Sequence, residues 1–348
     1  MKSRRKHRLA AALIPLLFAA PGRPTQNPPP PITAKGDEIV LLGTHGGPSL
    51  AKERSEPATL LIVDGRPYLI DCGIGTMRRL LDAGVQSEKI EAIFITHDHP
   101  DHTLGLADVM SNDFLTVYFG AADSQRPFHI YGPPPTAELV KAAFNYIRFP
   151  YGLFAAENLG AGTLASPFET HTIDHDGQVF QHDNVRVTAA ENTHFQLMSA
   201  EYRAQMKSYA YRFDTPHGAI VFTGDTGPSK SVERLAKGAD VLVSEVEDLG
   251  GAANAVAAGS STRAAGSGSA LAAHMQKEHL STKDVGEMAT EAQVKSVVLY
   301  HLIGQPVEKI IGGVKEYYSG PVFAGSDLER YCLDTTVSAG PAALAPCP

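Results

Sequence analysis

Apolar residues along this chain gather in short runs, each closed by glycine, proline, aspartate or asparagine. Runs of this kind read as buried strands. They fall at Glu38–Leu42, Ile90–Ile95, Phe128–Tyr131, Val185–Ala190, Val241–Val243, Ser296–Tyr300, Val322–Ala324 and Arg330–Leu333. Two hairpins are predicted. One joins Ala58–Val63 to Tyr68–Ile70 through Asp64-Gly65, and the other joins Tyr209–Asp214 to Ala219–Thr223 through Pro216-His217-Gly218. Helices are predicted over about Met77–Ala83, after His102, and over Thr136–Phe149, Val232–Ala236, Asp284–Ala292 and Val307–Tyr318. Residues 150–183 read as irregular, and the Ala/Gly/Ser-rich stretch Gly250–Ala273 reads as a mobile loop. The order is β-rich and then mixed, twice over. That is an α/β or α+β chain, and two sheets face to face with helices outside would bury it all.

The chain has 348 residues, of which 43% are hydrophobic and 20% charged, enough for a substantial core. A net charge of -8 argues against a general nucleic-acid binder, which carries a basic face. Lys2, Arg4, Arg5, Lys6 and Arg8 precede the apolar run Leu9–Ala20, and small residues follow. Residues 1–22 therefore read as a signal peptide, with an uncleaved anchor as the alternative, and residues 23–37 as a Pro-rich linker. Export to the periplasm or medium is the expectation. Nothing else in the chain reads as a membrane span. Three cysteines make no disulfide framework; Cys72 reads as a small buried residue, and Cys332 and Cys347 either pair or pack. One large domain is expected over 38–333, followed by a frayed tail over 334–348.

The chemistry concentrates at Ile93–Gly105. A short β run delivers His97, Asp98, His99, Asp101 and His102, with Pro100 suited to a first helical turn. Imidazole and carboxylate are the ligands of a borderline-soft divalent metal. Four potential ligands within six residues (His97, His99, Asp101, His102) suit two adjacent ions better than one. Three more candidates each follow a predicted strand: His194, Asp225 and His301. The chain has 14 histidines, and most must do something else. His129, His171, His175, His182 and His217 read as solvated, and His45 is ambiguous.

The His-x-His-x-Asp-His motif resembles the metallo-β-lactamase superfamily. The seven-residue order, Gly224-Asp225-Thr226 and Asp71-Cys72-Gly73 resemble its ribonuclease Z and arylsulfatase branch. The resemblance spans about residues 38–333 and implies an αββα sandwich. It also implies that His97, His99 and His194 bind one zinc, that Asp101, His102 and His301 bind a second, and that Asp225 bridges them. Manganese or iron remains an alternative to zinc. The chemistry implied is hydrolysis by a metal-activated hydroxide. Glu278-His279-Leu280-Ser281-Thr282 stands where ribonuclease Z proteins carry a proton-donating histidine, 22 positions before His301. His279 is thus the candidate general acid, with Asp101 also counted as catalytic. Ser244-Glu245-Val246-Glu247 lacks the histidine of the family's His-Glu-Ala-Thr stretch but keeps Glu245, which could orient His279.

One departure shapes the functional expectation. Ribonuclease Z proteins insert a long tRNA-gripping arm between the third-motif histidine and the bridging aspartate. Here Asp225 follows His194 by only 31 positions. The leading expectation is therefore an exported dizinc enzyme acting on a small phosphodiester or sulfate ester, without a nucleic-acid partner. The alternatives are a ribonuclease Z-type endonuclease, a lactamase- or lactonase-type hydrolase, and a non-catalytic relative. A homodimer is left open.

Overall fold

A computed structural model describes residues 35–47, 49–120, 127–160, 163–247, 267–303, 306–334 and 343–347. The expected signal segment, most of the linker and much of the 250–273 stretch lie outside the described residues. Among these residues no helix is long and apolar enough to cross a membrane.

In chain order the first half holds β1 (Asp37–Gly43), β2 (Ala58–Val63), β3 (Arg66–Ile70), α1 (Thr76–Asp82), β4 (Ala92–Phe94), α2 (Pro100–Thr103), α3 (Leu106–Phe119), β5 (Phe128–Gly132) and α4 (Thr136–Ala156). The second half holds β6 (Phe168–Thr172), β7 (Gly177–His182), β8 (Val185–Glu191), α5 (Ala200–Arg203), β9 (Tyr209–Asp214), β10 (Ala219–Phe222), α6 (Lys230–Leu235) and β11 (Val241–Glu247). It closes with α7 (Ser267–Lys277), α8 (Thr282–Glu291), β12 (Ser296–Ile303), α9 (Val307–Lys315), β13 (Val322–Ala324), β14 (Arg330–Asp334) and β15 (Ala343–Pro346).

Two sheets form. One runs β15-β14-β1-β2-β3-β4-β5-β6, and the other β13-β12-β11-β10-β9-β8-β7. Leu61, Tyr68 and Phe94 of the first meet Tyr211, Phe213 and Phe222 of the second in the central core. The opposite face of the first sheet is covered by α1, α3 and α4 through Leu80, Phe114 and Phe144. That of the second is covered by α6, α8 and α9 through Val232, Met288 and Ile310. These are the four layers expected, because each inner strand has an apolar face on both sides.

Five elements differ from the sequence expectation. The irregular stretch 150–183 contains β6 and β7. Both are edge strands with half-wetted polar side chains, so their alternation is masked. Helix α4 runs through Pro150 to Ala156. Its buried stripe Val140, Phe144, Ile147 and Tyr151 continues across the proline. Burial of about 1.5–3 kcal/mol per side chain outweighs a proline cost of about 3 kcal/mol. The Ala-rich end of the 250–273 stretch forms α7 rather than a loop, because alanine is the strongest helix former. In the tail, β15 pairs antiparallel with β14, and Cys332 is disulfide-bonded to Cys347. Cys72 is buried and free.

Candidate metal centre

The centre sits where strand ends of both sheets meet. Beyond β4 the chain gives Ile95, Thr96 and His97, and Pro100 opens α2, which presents Asp101 and His102. Tyr209 of β9 donates its N–H to the Thr96 carbonyl, and the Tyr211 hydroxyl donates to the Ile95 carbonyl at 2.6 Å. The second sheet is thereby tied to the ligand loop of the first. His194 follows β8, Asp225 follows β10, and His301 lies within β12 in a left-handed conformation (φ 57°). Gly224 is also left-handed, and a Cβ there would meet the Thr96 side chain at 2.8 Å. Glycine is what lets the Asp225 turn lie against the His97 loop.

The seven candidates fall into two groups. His97, His99 and His194 converge, with His194 Nε2 3.0 Å from His99 Nδ1. Asp101, His102, Asp225 and His301 converge beside them. Asp225 Oδ2 lies 3.2 Å from His301 Nε2, 3.3 Å from His102 Nε2 and 3.9 Å from His97 Nε2, so it faces both groups. Asp101 Oδ2 lies 3.4 Å from His301 Nε2 and 3.6 Å from His102 Nε2, and accepts the Gly47 N–H at 2.9 Å. A Cβ on Gly47 would overlap the Asp101 carboxylate, and one on Gly46 would meet His301 Nδ1 at 2.6 Å. Asp98, the remaining carboxylate of the motif, belongs to neither group and accepts from Thr136 Oγ1 at 2.9 Å.

A surrounding layer orients the rings. His102 Nδ1 contacts Asp71 Oδ2 at 2.8 Å, and His194 Nδ1 contacts the Glu278 carbonyl at 2.8 Å. Such contacts fix the tautomer and leave Nε2 as a ligand. His279 Nδ1 lies 2.8 Å from Glu245 Oε2, 3.5 Å from Glu247 Oε1 and 4.0 Å from Asp225 Oδ2. The pair expected from sequence is therefore in contact, and His279 also stands close enough to join a cluster with Asp225, Glu245 and His301.

The electrostatics fit divalent cations. His97 Nε2, His102 Nε2, both ring nitrogens of His301 and Asp225 Oδ1 are buried with no hydrogen-bond partner. Buried polar atoms left unpaired cost about 1–3 kcal/mol each, and a metal would satisfy these together. Burial holds His97 and His194 well below the ordinary histidine pKa. Burial lowers His99 to about 4. These three are thus neutral, the ligand form. Burial opposes charge on His102 and His301 as well, but Asp225 and the nearby carboxylates outweigh it and raise both well above the ordinary value. Burial would raise Asp225, but His301 and His102 hold it well below the usual carboxylate range. Burial and Asp225 push Glu245 well up, and burial, opposed by His279 and His301, brings Glu247 to about 7. Burial likewise lowers His279.

A cavity of ≈ 320 Å³ opens onto the centre, lined by His99, Asp101, Asp225, Glu247, His274, Met275, His279 and His301 among others. His274 and Glu247 were not singled out from sequence. His274 Nδ1 contacts Glu278 Oε2 at 2.5 Å, and its ring faces His194 and His279 at 5.5 and 5.1 Å. The available signal was the four-residue spacing of His274 and Glu278, which lies just past the end of α7. His45 pairs with Leu302 beside His301.

The model of the Beta-lactamase superfamily domain matches residues 66–302. The ribonuclease Z of Mycobacterium bovis (strain BCG / Pasteur 1173P2) is 34% identical over 209 residues, 60% of this chain and 70% of that protein. The ribonuclease Z of Mycolicibacterium paratuberculosis is 32% identical over 210 residues, with the same coverage of both chains. Among solved structures, the metallo-beta-lactamase fold protein YhfI of Bacillus subtilis superposes with a TM-score of 0.61 at 18% identity, over 85% of this chain and 99% of its own. Human tRNase Z, short form, superposes with a TM-score of 0.57 at 17% identity, over 84% and 98%. At those identities the two structures speak for the fold, while the family match and the curated relatives speak for descent. The chain is a metallo-β-lactamase-fold hydrolase and belongs to the ribonuclease Z branch of that superfamily.

Proposed function

We propose that this protein is a metal-dependent phosphodiesterase of ribonuclease Z type that cleaves RNA. The observation that carries the reading is the Glu245–His279 contact of 2.8 Å beside the seven clustered ligand candidates, in a chain 34% identical to ribonuclease Z over 209 residues. His97, His99 and His194 would hold one divalent ion, Asp101, His102 and His301 the other, and Asp225 would face both. Zinc suits this nitrogen-rich set, with manganese or iron as substitutes. Bound there, the ions would supply Lewis-acid activation of water and of the phosphate oxygens.

The chain's own residues do the rest. Asp71 and the Glu278 carbonyl hold His102 and His194 in their ligand tautomers. Doubly protonated, His279 would give its Nδ1–H to Glu245 and deliver its Nε2 proton to the departing oxygen. Asp101, fixed by the Gly47 N–H, borders the cavity where the ester would sit.

This revises the sequence expectation of a small-molecule substrate, which rested on the missing arm, the signal segment and the acidic net charge. A small phosphodiester or sulfate ester stays as a second reading, favoured by one observation. The residues between His194 and Asp225 form only α5 and the β9–β10 hairpin, with no arm to grip a large RNA. The disulfide between Cys332 and Cys347 supports, under the same proposal, work in an oxidising compartment such as the periplasm. The test is a panel of a precursor tRNA, bis-nitrophenyl phosphate and nitrophenyl sulfate with zinc present. Endonucleolytic cleavage of the RNA carries the first reading. Turnover of a nitrophenyl ester without RNA cleavage replaces it with the second, and no turnover of any substrate refutes both.

A further inference from the structure

We propose that His129, Glu169 and His171 form a further divalent-metal site, separate from the hydrolytic centre, which clips edge strand β6 to β5. From sequence both histidines read as solvated; the structure places them together. Strands β5 and β6 run parallel, with His129 opposite Glu169 and Tyr131 opposite His171. Opposed residues share a face of the sheet, as do residues two apart, so all four side chains stand on one face at its rim.

His129 Nδ1 lies 3.0 Å from His171 Nε2 and 3.6 Å from Glu169 Oε2, and the three ligand atoms all fall within 4.8 Å of one another. A tetrahedral zinc with bonds of about 2.0–2.2 Å has ligand-to-ligand edges of about 3.4 Å. The two measured edges straddle that length. Two imidazoles and one carboxylate make a set that zinc accepts, with the fourth position open to solvent. The site has a rigid floor. The His171 ring stacks on Tyr131 at 4.3 Å and 13°, and Tyr131 is itself wedged against Phe94 and Phe180 of the central core. A preset ring loses little freedom on binding.

The position gives the site a use. Among the described residues, strand β6 is the outermost strand of its sheet and pairs only with β5. Its side chains are largely wetted, so little apolar burial holds it. A metal joined to His129 on one strand and to Glu169 and His171 on the other would fasten that edge. None of the three residues belongs to either cluster at the strand ends.

The probe is zinc alone, added to the full-length protein. After equilibration and gel filtration, wild type should carry one zinc equivalent more per chain than His171→Ala, while the two turn over phosphodiester alike. Amide exchange in the peptide covering 168–172 should slow when zinc is added beyond the equivalents that fill the hydrolytic centre, and should not do so in His171→Ala. Equal metal content in the two proteins, or exchange in wild type that ignores the added zinc, overturns the proposal. Should His171→Ala fail to fold, Glu169→Gln takes its place, because that carboxylate is more than half exposed. It should bind the extra equivalent at least about tenfold more weakly. Unchanged affinity in that variant also overturns the site.

Discussion

The carboxylate of Asp71 is the most exposed point of the design to test, because it serves two neighbours at once. Its Oδ1 accepts the Thr96 N–H at 2.7 Å, and its Oδ2 contacts His102 Nδ1 at 2.8 Å. The Thr96 hydroxyl adds contacts of 3.0 and 2.8 Å to the two oxygens. The group is buried, and the residue is left-handed at φ 59°. Asparagine has the same shape and tolerates that backbone, so Asp71→Asn changes little except the donors. An amide cannot accept from both neighbours. With NH₂ toward His102, it accepts no proton from Nδ1, the ring turns to the other tautomer, and Nε2 carries hydrogen instead of a lone pair. With NH₂ toward Thr96, two donors face each other in a dry site, at a cost of about 1–3 kcal/mol.

The first orientation should lower metal affinity about 10–100-fold, or about 1.4–2.7 kcal/mol. The second should show as lost stability. Zinc affinity from competition with a chromogenic chelator and urea midpoints of the metal-free protein read the two outcomes separately. A variant with wild-type zinc affinity, stability and turnover would refute the claim that Asp71 positions His102 and the Thr96–His97 turn.

Three further outcomes are expected. Asp225→Ala should lose at least one ion and all hydrolysis, since among the described residues no other carboxylate faces both groups; retained metal and turnover in elemental analysis and assay would contradict the bridging position. His279→Ala should slow alkyl phosphodiesters about 100-fold or more and nitrophenyl esters much less, with metal content unchanged, because a good leaving group needs no proton; an equal loss on every leaving group would assign His279 to binding instead. Asp37 is raised from 3.8 to about 6 by burial, against the Thr215 hydroxyl that donates to it, so the fold binds its proton more tightly than the unfolded chain does. Wild type therefore loses stability as pH rises from about 4 to about 6, by up to about 3 kcal/mol, and Asp37→Asn should gain over wild type in melting temperature between pH 5 and pH 8; a constant gap would refute this.

What sequence could show of this site depended on how far apart the partners lie. His97, His99, Asp101 and His102 sit within six residues, so their chemistry is visible in any window that contains them. His194, Asp225 and His301 are far apart in the chain, yet each is announced by an apolar run just before it, and strand ends of one layer converge. Asp71 also follows an apolar run, Tyr68–Ile70, but nothing in the chain assigns its partners. It reaches Thr96 and His102 because β3 and β4 pair in parallel, Ile70 beside Phe94, a register that nothing in the local pattern specifies. His274 was hidden by composition, since a stretch rich in alanine, glycine and serine reads equally as loop or helix. Strands β6 and β7 were hidden by their position at the edges, where polar side chains replace the alternation that marks a half-buried strand. His129 and His171, each read as solvated, are half-buried and lie 3.0 Å apart, a contact that neither residue alone announces.

The same geometry bears on how the centre and the fold depend on each other. His97, His99, Asp101 and His102 come from the first sheet, and His194, Asp225 and His301 from the second. Neither sheet holds a complete group, because His194 completes the first cluster and Asp225 and His301 complete the second. The sheets are held together by the aromatic core of Phe94, Tyr211 and Phe213, and by the bonds from Tyr209 and Tyr211 to Thr96 and Ile95. That core must form before the ligand sets exist, so any ion bound there stabilises the docked sheets and not the separate ones. Tyr211 and Gly224, which bring the two loops together, therefore bear on the centre as the ligands do, by fixing where the ligand loops lie.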